Sequence, residues 1–238
     1  MLFQRIYNFV DVFIVGHYLG DEALAAVSIA GSAMYLLMSL MMGLTTGVSI
    51  VIAQYYGAGD ERGIHRTHGL MSLCTVGMAL LFSLAAILMP EKIIGMFTND
   101  PAAVETASVY LRIVALAFPF QAIRRSAGTV LESTQRVVIP FVSAISSVLT
   151  NVVLNALLIF GLCGFPRLGV AGAAIATVCA SAVDAVVIHI LGITQKTMLR
   201  APLSQLLDFD GAFLHRYLRI GAPTLFNESL WALGNLIY

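Results

Sequence analysis

The sequence predicts an all-α fold, a polytopic transmembrane bundle of six helices plus the start of a seventh. Three observations predict it. Of 238 residues, 59% are hydrophobic and 11% charged, whereas water-soluble domains carry about a quarter charged residues. The mean hydropathy is +0.89, and a soluble domain of this size has too little interior to hide so much apolar surface. The apolar residues also run in stretches of the roughly 20 residues that a spanning helix needs. No strand-like alternation competes with them, and an open-ended segment in lipid must be helical to satisfy its own backbone.

Taken in order, the spans fall at 1–17, 25–53, 69–89, 105–125, 137–160, 170–192 and 217–238. The second is overlong, so it tilts or extends into water. The breaks carry turn chemistry at GAGD (57–60), PEKIIGMFTNDPAA (90–103), GFPRLG (164–169) and around Pro202. Asp100 before Pro101 reads as a helix cap followed by a first-turn proline. Pro119 lies inside the fourth span, where it frees a carbonyl and kinks the helix. The stretch 206–223 reads as amphipathic and interfacial, leading into the last span. This organises the chain as a lobe over 1–192, a cytoplasmic linker over 193–216, and the start of a further helix over 217–238.

Charge and cysteine usage exclude several classes. Thirteen basic residues balance thirteen acidic ones, so no nucleic-acid partner is implied. Cys74, Cys163 and Cys179 have neither metal nor disulfide spacing and read as small buried hydrophobes. The first 20 residues contain Gln4, Arg5, Asn8 and Asp11 and lack the pattern of a signal peptide. No HExxH, Ser-His-Asp order, GxxxxGK[ST] or CxxC occurs, so neither an enzyme nor a nucleotide-driven pump is supported, and no organic cofactor is implied. With a cytoplasmic N-terminus, the inner side holds Arg62, Arg66, Arg124, Arg125, Arg136, Lys196, Arg200, Arg216 and Arg219, against Lys92 and Arg167 outside. That bias fits an N-in, multi-pass protein of the plasma (bacterial inner) membrane. Arg124 and Arg125 read as markers of the inner boundary, and His189 as a snorkelling side chain.

Depth then picks out polar residues that do not belong in lipid. Asp11 lies roughly 9 Å below the outer surface in the first span. Asn155 lies at a similar depth in the fifth, with Asn151 one turn deeper on the same face. Thr177 comes about 10 Å down the sixth. One carboxylate, two amides and a hydroxyl therefore reach one level, a set suited to a hard monovalent cation such as Na⁺ or to a proton held on the carboxylate. The bland alternative is that Asn and Thr only glue helices together; an intramembrane carboxylate such as Asp11 more often marks an ion pathway. Asp184, seven residues after Thr177, is either a second cavity carboxylate or the partner of a cation on a neighbouring helix. Glu228 either reaches the cytoplasmic interface or faces a cavity, and Trp231 and Asn235 share its helix face. Gln121 completes the candidates for a cavity wall.

These pieces together resemble the multidrug and toxic compound extrusion (MATE) family of secondary transporters. The resemblance rests on YNFVDVFIVGHYLGDEALAAVSIA, IAQYYGAGD, LRIVALAFPFQAI, NVVLNALLIFG, LGVAGAAIAT and LRIGAPTLFNESLWALGN, in that order along the whole chain. It implies one lobe of a two-lobe, twelve-helix fold, with a first-lobe cation site at Asp11, Asn151, Asn155 and Thr177. Asn155 departs from the family pattern, which has an Asp there, and the loss of that charge leans the expected coupling ion towards a proton. The resemblance further implies a cation-coupled antiporter, driven by H⁺ or Na⁺, that exports organic, cationic drugs or metabolites, with Pro119 and Gly128 shaping the fourth helix at its cavity. Its partners would be the bilayer, small organic cations, and a second lobe on the same or another chain. The alternatives are a relative of the lipid-linked saccharide flippases, whose cargo would need Arg5 and Arg112 turned into one cleft, and a non-transporting membrane module.

Overall fold

The computed structural model describes residues 20–237 and, save at 21, 22, 163, 232, 233 and 235–237, their side chains. Every regular element among them is helical. Helix α1 spans Asp21–Ala58, α2 Glu61–Leu88, α3 Pro90–Ile94, α4 Pro101–Val114, α5 Phe118–Ser133, α6 Val138–Phe160, α7 Gly169–Thr194, α8 Leu203–Leu206 and α9 Gly211–Ile237. Short 3₁₀ turns at Ala115–Ala117 and Leu162–Gly164 follow α4 and α6. Among the described residues, five segments are long and apolar enough to cross a membrane: Ala23–Ala58, Glu61–Leu88, Pro101–Ser133, Val138–Phe160 and Gly169–Thr194. The first expected span, 1–17, lies outside the described residues, and the last, 217–238, falls on α9, which is not among these five.

Local chemistry sets the boundaries. Gly59, at φ +72°, occupies the left-handed conformation that closes α1, and the Asp60 carboxylate then accepts from Gly63 N–H at 2.9 Å to start α2. Asp100 caps α4 as expected, accepting from Ala102 N–H at 3.1 Å, with Pro101 in the first turn. The loop expected over 90–103 contains the short helix α3, which also begins on a proline. Helix α2 starts eight residues before the expected span because its first turns are polar and need no lipid. Helix α9 is likewise continuous from Gly211, so the stretch read as interfacial joins the last helix and places Pro223 inside it.

The fourth span breaks where Pro119 requires it. Lacking an N–H, Pro119 cannot bond the Ala115 carbonyl four residues back. The backbone tightens to 3₁₀ geometry, so that Phe118 N–H reaches that carbonyl instead, and the Ser83 hydroxyl of α2 donates a second bond to it at 2.8 Å. Gly128 plays no comparable part: a Cβ there would meet neighbours no nearer than 3.7 Å, an ordinary contact. Its expected role in shaping the helix is not required sterically. Cys179 is also exposed rather than buried, on a face of α7 where lipid can cover a thiol.

Two compact units make up the chain. One comprises the described residues up to Met34 with Leu81–Phe120 and Ala144–Asp184. Its α7 packs through small side chains, Ala173, Ala174, Ala176 and Ala180 all being buried, and a Cβ at Gly172 would press on the Leu158 carbonyl oxygen at 2.9 Å. The other comprises Tyr35–Leu80, Gln121–Ser143 and Ala185–Tyr238. Its core joins Val48 and Ile52 of α1 to Ile64, Leu70 and Met71 of α2, Val130 and Leu131 of α5, Ile188 of α7 and Tyr217 of α9. All nine cationic residues assigned above to the inner side belong to this second unit.

The Ser83 bond carries a prediction. Ser83→Ala should lower stability by about 1 kcal/mol, the net worth of one such bond, read as a lower midpoint of thermal unfolding in detergent. In a Pro119→Ala background, where the ordinary helical bond re-forms, the same change should cost less than half as much. Equal costs in both backgrounds would mean that Ser83 does not act through the proline break.

Candidate cation site and family

The two asparagines expected at one depth sit on α6 in the first unit, and both are buried, Asn151 at 1% and Asn155 at 0% exposure. Their four-residue spacing stacks the side chains one turn apart. Asn155 Nδ2 donates to Asn151 Oδ1 at 3.0 Å, so one amide orients the other. The acceptor end of the pair is Asn155 Oδ1 and its donor end Asn151 Nδ2.

Thr177 of α7 comes to the same level, and the register of the helix pair shows why. Ser147 Oγ of α6 donates to the Ala180 carbonyl of α7 at 3.0 Å, and Leu168 N–H bonds the Leu158 carbonyl at 2.9 Å where the chain turns back. The helices therefore run antiparallel. Asn151 stands four residues after Ser147 and Thr177 three before Ala180, which sets them side by side. Thr177 is buried at 2% exposure, and its hydroxyl donates to the Ala173 carbonyl at 3.0 Å, turning its lone pairs away from that bond. Two amides and a hydroxyl thus lie on facing helices in a buried place. Such neutral oxygens suit a monovalent cation only with a carboxylate to balance it. The carboxylate expected there, Asp11, lies outside the described residues.

The remaining candidates fall on α5, α7 and α9. Asp184, two turns further along α7, and Gln121 of α5 are both half-buried. Glu228 of α9 is half-buried within the second unit, where it and Glu132 act attractively on Arg125 of α5. Trp231 is 66% exposed, and the Asn235 side chain lies outside the described residues. His189 Nδ1 pairs with the Ala185 carbonyl of its own helix at 2.8 Å. Arg125 does more than mark a boundary. Its Nε donates to Thr45 Oγ1 of α1 at 3.1 Å, a tie whose only sequence signal was a pair of arginines closing an apolar run. Arg112 pairs with Glu91 at 3.0 Å, and both side chains are more than half exposed.

The profile of the MatE family matches residues 1–157. The chain belongs to the MatE family. It is 29% identical over 235 residues to the probable multidrug resistance protein YoeA of Bacillus subtilis, an alignment covering 98% of this chain and 51% of that protein. It is 30% identical over 235 residues to a probable multidrug resistance protein NorM of Synechocystis, covering 97% of this chain and 47% of the relative. The fold matches the inward-facing conformation of a multidrug resistance MATE family transporter of the MOP superfamily, with a TM-score of 0.84 at 22% identity over 97% of this chain and 51% of that one. A MATE crystal structure in the bent conformation gives a TM-score of 0.82 at 24% identity, covering 94% and 49%. The chain thus spans about half the length of the curated relatives it matches. Family and apolar helices together make it a multi-pass membrane protein.

In this MatE chain the asparagine pair is open to a stability test that needs no transport. Asn155→Leu leaves the buried Asn151 carbonyl without its donor and should cost about 1–3 kcal/mol, measured by thermal unfolding in detergent. Replacing both asparagines by leucine should cost less than the two single changes together. Strict additivity would show that the pair is not coupled.

Proposed function

We propose that this chain forms the first lobe of a cation-coupled antiporter that exports organic cations across the plasma membrane, with its N-terminus in the cytoplasm. Membership of the MatE family and the names of its relatives support export as the activity. One observation carries the ion site: the buried asparagine pair of α6, level with Thr177 on α7. In the proposed site Asp11 binds the coupling ion, and Asn151, Asn155 and Thr177 supply neutral oxygens around it. With an amide at 155, Asp11 is the one carboxylate of the set. A proton on that carboxylate, stabilised by amide neighbours, fits a site with a single negative charge better than Na⁺ does. Asp184, Gln121, Glu228 and Trp231 are proposed to line the path of the substrate. The saccharide-flippase reading gains nothing from Arg112, whose guanidinium is engaged by Glu91.

The test is efflux by a full-length protein carrying this chain as its first half. Asp11→Asn should abolish ion-driven export of a cationic dye while leaving the protein folded in the membrane. Retained efflux would remove Asp11 from the coupling role. Asn155→Asp restores a second carboxylate and should raise the dependence of efflux on Na⁺. If Na⁺ dependence is already complete in the unaltered protein, proton coupling is wrong.

A further inference from the structure

The segment after α7 was expected to be a linker, yet within the second unit it is fastened at nearly every turn. Thr197 N–H bonds the Gly192 carbonyl at 3.0 Å. The His65 Nδ1 of α2 lies 2.6 Å from Gln205 Oε1, which as an acceptor takes the proton of that nitrogen. Gly69 of α2 meets the Leu206 carbonyl so closely that no side chain could stand there. Asp208 is held twice: Arg62 donates to its carboxylate through Nη2 at 2.5 Å and Nε at 3.0 Å, and Arg66 Nε donates to its backbone carbonyl. The Arg66 guanidinium also sits 4.8 Å from the centre of the Phe213 ring. Further on, Tyr217 donates to the Leu44 carbonyl at 3.4 Å. A Cβ on Gly47 would lie 3.0 Å from the Ile220 carbonyl, and one on Gly43 would lie 2.6 Å from Leu225 Cα.

We infer that residues 197–225 form a rigid strut clamped to α1 and α2, with Asp208 as the positioning residue that locks it, rather than a flexible tether. The glycines set the distance of approach, and only their small size lets the backbones meet. The arginines set the register. Arg62 and Arg66 come one helical turn apart on α2 and grip the carboxylate and the backbone of a single residue, which fixes a position and a direction together. The bond from Arg62, with the charges of Arg62 and Arg66, holds the Asp208 carboxyl below the ordinary carboxylate range. A carboxylate depressed in this way keeps its charge, and with it the pairing, until pH falls through the lowered value. His65 and Glu61 of α2, and Asp60 just before it, are the other titratable groups close to these arginines in the sequence. The clamp is therefore closed across the neutral range. If the chain is the first lobe of a transporter, a reading this role rests on, the strut carries the first half of α9 with that lobe, and motion between lobes must arise beyond Leu225.

Hydrogen exchange on this chain in lipid nanodiscs tests the clamp without any transport. Amides of 203–213 should be protected, and Asp208→Asn should speed their exchange about tenfold or more while exchange in α6 stays unchanged. The exchanged pair Arg62→Asp with Asp208→Arg should restore protection, and Gly69→Val should remove it by a steric route. Exchange of the unaltered segment at the rate of an unstructured peptide, or indifference to Asp208→Asn, would overturn the inference. In a full-length protein, a disulfide between cysteines at Gly47 and Thr224 should leave efflux intact. If the unaltered protein exports nothing, the transport reading fails while the exchange result stands. If it exports and the crosslink stops it, the strut is not rigid in function.

Discussion

The fold depends on one constraint: inside hydrocarbon a backbone carbonyl or N–H has no water to turn to, so each must find a partner within the protein. Helices meet that demand along their length and fail it at their breaks. The break before Pro119 is survivable because the chain tightens for one turn and Ser83 lends a hydroxyl from α2. The turn between α6 and α7 is closed in the same spirit, with Gly161 in the left-handed conformation and Leu168 returning its N–H to the Leu158 carbonyl. Helix position follows from these rescues, since a donor can only be lent at hydrogen-bond distance.

The same constraint governs the polar side chains that the spans retain. Asn155 donates to Asn151, Thr177 to Ala173 and Arg125 to Thr45. Satisfied locally, such groups can stay in the membrane at bearable cost, and they keep a fixed orientation. An amide whose nitrogen is engaged presents its oxygen in a definite direction, and the antiparallel register of α6 and α7 brings Thr177 level with the pair.

Much of this was legible in the sequence. Apolar run length located five of the expected spans, Asp100 with Pro101 marked the start of α4, and Pro119 marked its break, because each of these signals is local. The spacing of Asn151 and Asn155, and the depth they share with Thr177, needed only helix geometry and the positions of the turns. What could not be read were contacts between residues far apart in the chain. Nothing in LLDFD announces that its first Asp meets arginines some 140 positions earlier. The early start of α2 and the joining of the interfacial stretch to α9 were missed for a related reason. A hydropathy rule ends a helix where polarity begins, whereas a helix paired to a neighbour can run on into water.

Helix α9 shows how exposure must be weighed in such a protein. Phe226, Leu230 and Trp231 are 67%, 54% and 66% exposed, which in water would mark a docking surface. In lipid it marks nothing by itself, because acyl chains are as apolar as leucine and no hydrophobic drive pulls helices together. The informative side chain on this helix is the charged one. Glu228 is half-buried, and its charge, like that of Glu132, acts attractively on Arg125, whose Nε donates to Thr45 Oγ1. A carboxylate beside apolar side chains settles where a cation or water can be found. The glycines of α1 set the distance of α9, and its polar groups say more about its packing than its exposed apolar ones do.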